Sequence, residues 1–226
     1  MGEPETAWRP DRALTAALLT LAVSGSIFIG LVVAVERGDH TPSVDSRLTS
    51  DVVGHRAGWL TSLARIVTNL GVGPVVYGVL GVLGLAVWWR TRRLALPIVA
   101  MVVLMTGQGA RAAINQAIAR PRPPRALWLA SPSGYAFPSG HTTLATIGYG
   151  LAALLLLRLL SAARSRTAAA AVALAALVAV VVGLSRVYLG VHWPSDVAGG
   201  WSFGVAWLAL AASAVSLYRR RSADPR

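Results

Sequence analysis

The chain contains no cysteine and no lysine, and it is poor in charge of either sign. Without cysteine it forms no disulfide, has no thiolate ligand for a metal and has no cysteine nucleophile. Only 13% of its residues are charged, against roughly 25% in a soluble globular domain, while 55% are hydrophobic. Such a sequence has too little charge for a water-soluble surface, and it is typical of a chain solvated mostly by lipid.

Positive charge comes from arginine alone, because all 21 basic residues are Arg, and the net charge is +12. An arginine excess is one sign of a nucleic-acid-binding protein. Here the arginines flank apolar runs and form no single basic face. We therefore exclude nucleic acid as a partner and expect the lipid bilayer in its place.

Six apolar runs are each close to the ~20 residues that a helix needs to cross a bilayer. They predict an all-α, polytopic membrane protein with six transmembrane helices in one bundle, a single domain over residues 1–226. The first run is longer than the apolar core of a signal peptide, so we interpret it as an uncleaved anchor. The predicted spans are approximately 13–35, 70–89, 94–118, 142–160, 167–185 and 197–218.

Residues 41–69 have a different pattern, in which valine or leucine recurs every four residues from position 44 to 52 and arginines are interspersed. Side chains four residues apart share one face of a helix. The segment therefore predicts an amphipathic helix at the membrane interface, broken near Gly54 and Gly58, and no further span.

Tight arginine clusters set the predicted orientation. They lie at 90–93, 164–166 and 219–221, in short segments that border the spans. The positive-inside rule places such segments in the cytoplasm. Both tails, 1–12 (which carries Arg9) and 219–226, are then predicted inside the plasma membrane of a bacterial cell. The third and fifth spans consequently end, and the fourth begins, at the outer face.

The fourth span is preceded by Pro138, Ser139, Gly140 and His141, a pattern typical of a helix start that binds an anion. Proline suits the first turn of a helix, Ser139 can cap it or hold a ligand, and free backbone N–H groups point out of the helix end. Gly140 lets an anion approach the backbone, and His141 can give a proton to a leaving oxygen. The alternative is a plain helix cap with an interfacial histidine.

His192 and Asp196 lie four residues apart around Pro194, at a predicted helix start. An aspartate bonded to one imidazole nitrogen fixes the tautomer and leaves the other nitrogen as a nucleophile. Asp196 is the only acid between residues 51 and 224, which favours this interpretation over a plain helix cap. Arg186, near a membrane end, has the planar fork that suits bidentate phosphate binding.

Arg120 and Arg122 flank a proline and project from a stiffened segment. They can clamp phosphate oxygens or contact lipid head groups. Arg111 lies one helical turn before Asn115, on the same face. As a charge inside a predicted span it is expected to be functional, or to reach outward to the interface.

Together these stretches resemble the signature of the type 2 phosphatidic acid phosphatase superfamily of membrane lipid phosphatases. That signature is Lys, six residues and Arg-Pro; then Pro-Ser-Gly-His; then Ser-Arg, five residues, His, three residues and Asp. The second part is complete and ends at His141, and the third is complete and ends at Asp196. In the first part Arg122 and Pro123 match, but Asn115 stands at the lysine position.

The resemblance implies a role for each matching residue. His192 would be the nucleophile and form a phosphohistidine, Asp196 would orient it, and His141 would protonate the leaving group. The phosphate would be held by Arg122, Ser139, Gly140 and Arg186. The resemblance implies no metal and no cofactor, and a helical bundle whose site faces the outer leaflet.

Asn115 is a departure with a chemical consequence, because an amide can donate a hydrogen bond to a phosphoryl oxygen but brings no positive charge. Arg111, one turn away, or Arg120, in the loop, is the candidate for the missing cation. If neither reaches the phosphate, we expect low activity or a different substrate.

The predicted function is hydrolysis of a lipid phosphate or pyrophosphate held in the bilayer. Undecaprenyl pyrophosphate, phosphatidic acid, phosphatidylglycerol phosphate and another polyprenyl phosphate are equally compatible. A second hypothesis is a catalytically silent lipid-binding or transport protein that retains the anion site, which Asn115 favours and the intact histidines oppose. A haloperoxidase is a third, opposed by the membrane spans because such relatives are soluble. The sequence leaves the oligomeric state open.

Overall fold

The fold is taken from a computed structural model, which describes residues 12–37, 43–160 and 165–223. Parts of several predicted segments lie outside these described residues. They are Arg9 and the rest of 1–11 in the N-terminal tail, 41–42 in the interfacial segment, Arg164, and 224–226 in the C-terminal tail.

Within the described residues, six long helices agree with the six predicted spans, and their ends lie a few residues from the predicted ones. Each is long and apolar enough to cross a membrane. The prediction of an all-α, six-span protein is therefore confirmed. Numbered in chain order, the long helices are α1 (Arg12–Arg37), α4 (Gly73–Thr91), α5 (Ala95–Ile118), α6 (Gly140–Leu159), α7 (Ser165–Tyr188) and α8 (Pro194–Ala223).

Two short helices, α2 (Ser43–Gly54) and α3 (Gly58–Thr68), occupy the segment predicted to be interfacial, and the break between them lies where the two glycines predicted it. The side chains that α2 buries are polar, Asp45 and Thr49, whereas Val44 and Leu48 are exposed. The apolar face of α2 thus points away from the protein, as expected of a helix that rests on lipid.

The central helix of the bundle is α6. In its most apolar 18-residue stretch 61% of the residues are buried, against 11–33% for the other long helices. It packs against α4, α5, α7 and α8, while α1 lies along α8. A Cβ atom on Gly148 would lie 2.1 Å from Cγ1 of Val76, so glycine is what lets α6 approach α4 this closely.

Chain direction brings four helix ends to one end of the bundle, because α5 and α7 finish there and α6 and α8 begin there. Helix α5 is followed by Ala119 in the left-handed conformation (φ 49°), which turns the chain into the loop 119–139. That loop meets the turn before α8, where the Leu129 N–H donates to the Leu189 carbonyl at 2.9 Å. These two loops carry or flank all three predicted motifs.

Candidate active site

His192 and Asp196 form the buried pair that their spacing predicts. Nδ1 of His192 lies 3.2 Å from Oδ2 of Asp196, and both side chains are almost fully buried. The same oxygen accepts the backbone N–H of Trp193 at 2.8 Å. Since a carboxylate only accepts hydrogen bonds, the imidazole proton lies on Nδ1 and the lone pair lies on Nε2.

Arg122 lies directly against that lone pair, with its Nη1 group 2.9 Å from Nε2 of His192. Its other N–H groups donate to backbone carbonyls, which fixes the guanidinium in place. The accepting carbonyls are those of Ser133, Gly134, Tyr135 and Val191, at 2.7–3.0 Å. In this arrangement the guanidinium binds the His192 imidazole and the neighbouring backbone, so a phosphate would have to take over one of these N–H groups.

The environment of His192 favours the neutral imidazole. Burial, followed by the positive charges of Arg122 and Arg186, lowers the pKa of His192 well below its ordinary value of 6.5. A buried group in a positive environment avoids carrying a proton. His192 is therefore unprotonated near neutral pH, which is the state that a nucleophile requires.

The start of α6 carries the residues that were predicted to bind an anion, and one expectation about them is corrected. Ser139 has extended backbone (ψ 119°), so it is the N-cap and the first helical residue is Gly140. Pro138 therefore lies before the helix, and the prediction that it occupies the first turn is wrong. Ser139 makes no side-chain bond to the helix backbone; its Oγ accepts from Thr142 Oγ1 at 3.0 Å.

The N-cap is also tied to the His192–Asp196 pair, because the Ser139 N–H donates to the Asp196 carbonyl at 3.0 Å. This bond joins the start of α6 to the start of α8. The N-terminus of α6 and the His192–Asp196 pair are consequently held in one small region, with His141 in the first turn of α6.

Asn115 uses its amide N–H within the protein. It is buried, and its Nδ2 group donates to the Phe137 carbonyl at 2.9 Å. The amide thus supports the turn that leads into the start of α6.

Arg111 and Arg186 each have a buried donor that no described residue accepts. Nη1 of Arg111 lies 3.5 Å from the point where a Cβ atom on residue 140 would be, so the guanidinium is beside the start of α6. Arg186 donates to Thr68 Oγ1 at 2.7 Å. The buried Nε atoms of both arginines have no hydrogen-bond partner among the described residues. Buried donors of this kind fit an anion at the start of α6.

Arg120 binds carboxylates, one of which is Asp196 itself. Its side chain is fully buried and pairs with Asp45 of α2 at 2.7 Å and with Asp196 at 2.5 Å. Asp45 was missed by the sequence analysis, although one signal pointed to it. Asp45 and Thr49 are polar residues four positions apart, so they share one face of α2.

Comparison with known proteins identifies relatives of the chain. The model of the PAP2 superfamily matches residues 94–220. A phosphatidylglycerophosphatase B of Bacillus subtilis (strain 168) is 30% identical over 183 residues, which cover 81% of this chain and 89% of that protein. An undecaprenyl-diphosphatase of Sulfolobus acidocaldarius is 33% identical over 129 residues, which cover 56% of this chain and 57% of that protein.

The fold has a close counterpart among solved structures, a transmembrane PAP2-type phosphatidylglycerolphosphate phosphatase from Bacillus subtilis. The two superpose with a TM-score of 0.80 at 27% identity, over 88% of this chain and 96% of that chain. Family model, relative and structure all agree with the resemblance found in the three motifs: the chain belongs to the PAP2 superfamily.

Proposed function

We propose that the protein hydrolyses a lipid phosphate or pyrophosphate, without a metal, through a phosphohistidine at His192 on the extracytoplasmic face of the membrane. The observation that carries the proposal is the chain of contacts from Asp196 through His192 to Arg122. Relatives named for phosphatidylglycerophosphatase and undecaprenyl-diphosphatase activity support a lipid-linked phosphate as substrate. Their head groups differ, so the class of substrate is proposed and the individual lipid is left to experiment.

The first step is attack by His192. Nε2 is neutral and accepts an N–H from Arg122. When a phosphoryl oxygen takes that N–H, the lone pair of Nε2 becomes free to attack phosphorus. The N–P bond forms as the bond from phosphorus to the leaving oxygen breaks, and the positive charge that develops on the imidazole is balanced by Asp196 through Nδ1–H.

The second residue with a chemical role is His141, in the first turn of α6. There it gives a proton to the leaving oxygen, which departs as an alcohol or, from a pyrophosphate, as a lipid monophosphate. Water then attacks the phosphohistidine, His141 takes the proton of that water, and inorganic phosphate leaves. One water molecule is consumed in each turnover, and His192 returns to its neutral form.

The phosphate is held by groups that converge at the start of α6. They are the backbone at Ser139 and Gly140 and the guanidinium groups of Arg186 and Arg111. We assign to Arg111 the charge that the family's lysine would supply, because its guanidinium lies beside Gly140 with an unused donor. Arg120, the other candidate, is bound by two carboxylates.

The proposed side of the membrane follows from charge. Arginine clusters near residues 90–93 and 219–221 lie at the end of the bundle opposite the site, and the positive-inside rule puts them in the cytoplasm. The site then faces outward, where a lipid head group in the outer leaflet can reach it.

The test is phosphate release by the purified protein in detergent, with phosphatidylglycerol phosphate, phosphatidic acid and undecaprenyl pyrophosphate as substrates. The matched control is His192→Ala, prepared in the same way. We expect release from at least one substrate by wild type and none above background by the control. Equal background from both proteins would favour the alternative, a silent lipid-binding protein, for which the engagement of Asn115 with Phe137 is the structural argument.

A further inference from the structure

The interfacial helix α2 contributes a buried carboxylate to the region of the catalytic pair. Asp45 has a side chain only 3% exposed, although its helix has its apolar face turned outward. Its Oδ1 accepts the backbone N–H of Ser195 at 2.8 Å, and its Oδ2 accepts the Ser195 hydroxyl at 2.5 Å. Asp45 is therefore a cap on the N-terminus of α8, supplied from a distant part of the chain.

Arg120 connects this cap to the catalytic acid. Its Nη2 donates to Asp45 Oδ2 at 2.7 Å, and its Nη1 donates to Asp196 Oδ1 at 2.5 Å. The guanidinium carbon also lies 5.8 Å from the ring centroid of Trp193. One planar cation, packed near an aromatic ring, thus joins two carboxylates in a fully buried setting.

This geometry determines which oxygen of Asp196 is available to the histidine. Oδ1 is bound by Arg120, and Oδ2 is bound by the Trp193 N–H and by His192. Because Asp45 takes the Nη2 side of the guanidinium, Arg120 meets Asp196 through Nη1. Oδ2 is consequently left to hold the imidazole, and the negative charge of Asp45 offsets the positive charge of Arg120 beside it.

We propose that Asp45 and Arg120 are positioning residues of the reaction, which hold Asp196 in the orientation that aligns His192 and which make α2 a part of the active site. The inference rests on the proposed function, since it concerns the same histidine. It goes beyond the three motifs, because Asp45 lies outside all of them. An interfacial helix that only anchored the protein to lipid would need no buried carboxylate on its inner face.

The principal test is Asp45→Asn. Asparagine has nearly the same shape and keeps an oxygen for the Ser195 N–H. It places an NH2 group where Oδ2 accepts from Arg120 and from the Ser195 hydroxyl, so the change removes both the charge and the acceptor that hold Arg120. We expect kcat to fall about 10- to 50-fold while KM changes by less than about twofold, because the substrate does not touch Asp45. The matched control is Asp51→Asn on the same helix, an exposed acid, which should retain wild-type kcat and KM.

A second variant keeps the inference testable if Asp45→Asn does not survive purification. Arg120→Lys retains the buried positive charge but replaces a two-armed donor with a single ammonium group that cannot meet both carboxylates in the same geometry. We expect the same loss of kcat at nearly constant KM, with the elution volume in gel filtration unchanged. A folded variant of either kind with wild-type kcat would overturn the inference.

A merely structural role is distinguished by Asp45→Glu. Glutamate fits the buried space less well than asparagine but keeps the charge. Higher kcat for Asp45→Glu than for Asp45→Asn supports positioning through charge, whereas the reverse order indicates simple packing and contradicts it. An inactive wild-type protein would count against the proposed function itself, so the two failures are distinguishable.

Discussion

Nη1 of Arg122 lies 2.9 Å from Nε2 of His192, the nitrogen that attacks phosphorus in the proposed reaction. The same guanidinium is bound to four backbone carbonyls, so its position is set by the loop and does not depend on substrate. In the proposed reaction Arg122 therefore protects the lone pair of Nε2 until a phosphoryl oxygen replaces that nitrogen as the acceptor of the Arg122 N–H. Arg122 then stays beside the transferring group.

Arg122→Lys should reduce kcat by about 10²–10³-fold, because an ammonium group cannot bind the carbonyls, the imidazole and the phosphate in one plane. The measurement is steady-state phosphate release with the best substrate of the panel. Arg125→Lys, an exposed arginine in the same loop, is the control and should be close to wild type. Equal activity of Arg122→Lys and wild type would contradict the role given to Arg122.

The two histidines should differ in what their removal does. His192→Ala removes the attacking atom and should abolish both turnover and the trapped phosphoenzyme. His141→Ala removes a proton donor, so turnover should slow by about 10²–10⁴-fold while some phosphoenzyme still forms from substrates with good leaving groups. Rapid-quench experiments with labelled substrate measure both quantities. Label trapped on the His192→Ala protein would assign the nucleophile elsewhere.

The missing lysine leads to a paired prediction. Arg111→Ala should lower kcat/KM by roughly 10- to 100-fold, because Asn115 supplies no charge. Asn115→Lys alone should be tolerated or raise activity. In the Arg111→Ala background, Asn115→Lys should recover part of the loss, since it places a cation at the family's position. Unchanged kinetics in Arg111→Ala, or no recovery in the double variant, would remove Arg111 from the phosphate site.

The pH dependence follows from the environment of His192. Burial, and then Arg122 and Arg186, lower its pKa well below 6.5, so the imidazole stays neutral as the pH falls through 6.5. In a plot of log(kcat/KM) against pH, the fall in activity caused by protonation of His192 should accordingly begin only at a pH well below 6.5. Arg122→Gln removes one positive charge, which should move the start of that fall to higher pH.

Both profiles are measured with the same substrate, whose own ionisation then affects them equally. A fall that begins at the same pH in the two proteins, or at lower pH in Arg122→Gln, would contradict this electrostatic argument. The lowered pKa of His192 also makes the stability of the fold depend on pH. Between the lowered pKa and 6.5 the unfolded chain binds more protons at this histidine, so His192 reduces the free energy of unfolding as the pH falls through that window.

Much of this architecture was predictable from the sequence, for reasons that particular residues make clear. The six spans follow from apolar length, and the break between α2 and α3 follows from Gly54 and Gly58. The His192–Asp196 contact follows from a spacing of four near a helix start. The superfamily and the phosphatase class, predicted from the three motifs, are confirmed by the comparisons.

Long-range pairing was not predictable. Asp45 and Arg120 are 75 residues apart in the sequence. The periodicity of α2 predicts which face is apolar, but it does not predict which residues contact the polar face. The left-handed turn at Ala119 directs Arg120 into the protein, which is why sequence distance alone could not choose between Arg120 and Arg111. The position of Pro138 was predicted wrongly for a local reason. The chain stays extended through Ser139, so the helix begins only at Gly140.

The central claim is that phosphorus becomes bonded to His192. It is tested most directly by reacting the purified protein with substrate labelled in the transferred phosphate, quenching in alkali and locating the label by peptide mass spectrometry. The expected result is an alkali-stable, acid-labile phosphate on the peptide that contains His192, absent from His192→Ala. A label on any other residue, or rapid turnover with no phosphoenzyme at any time point, would contradict it.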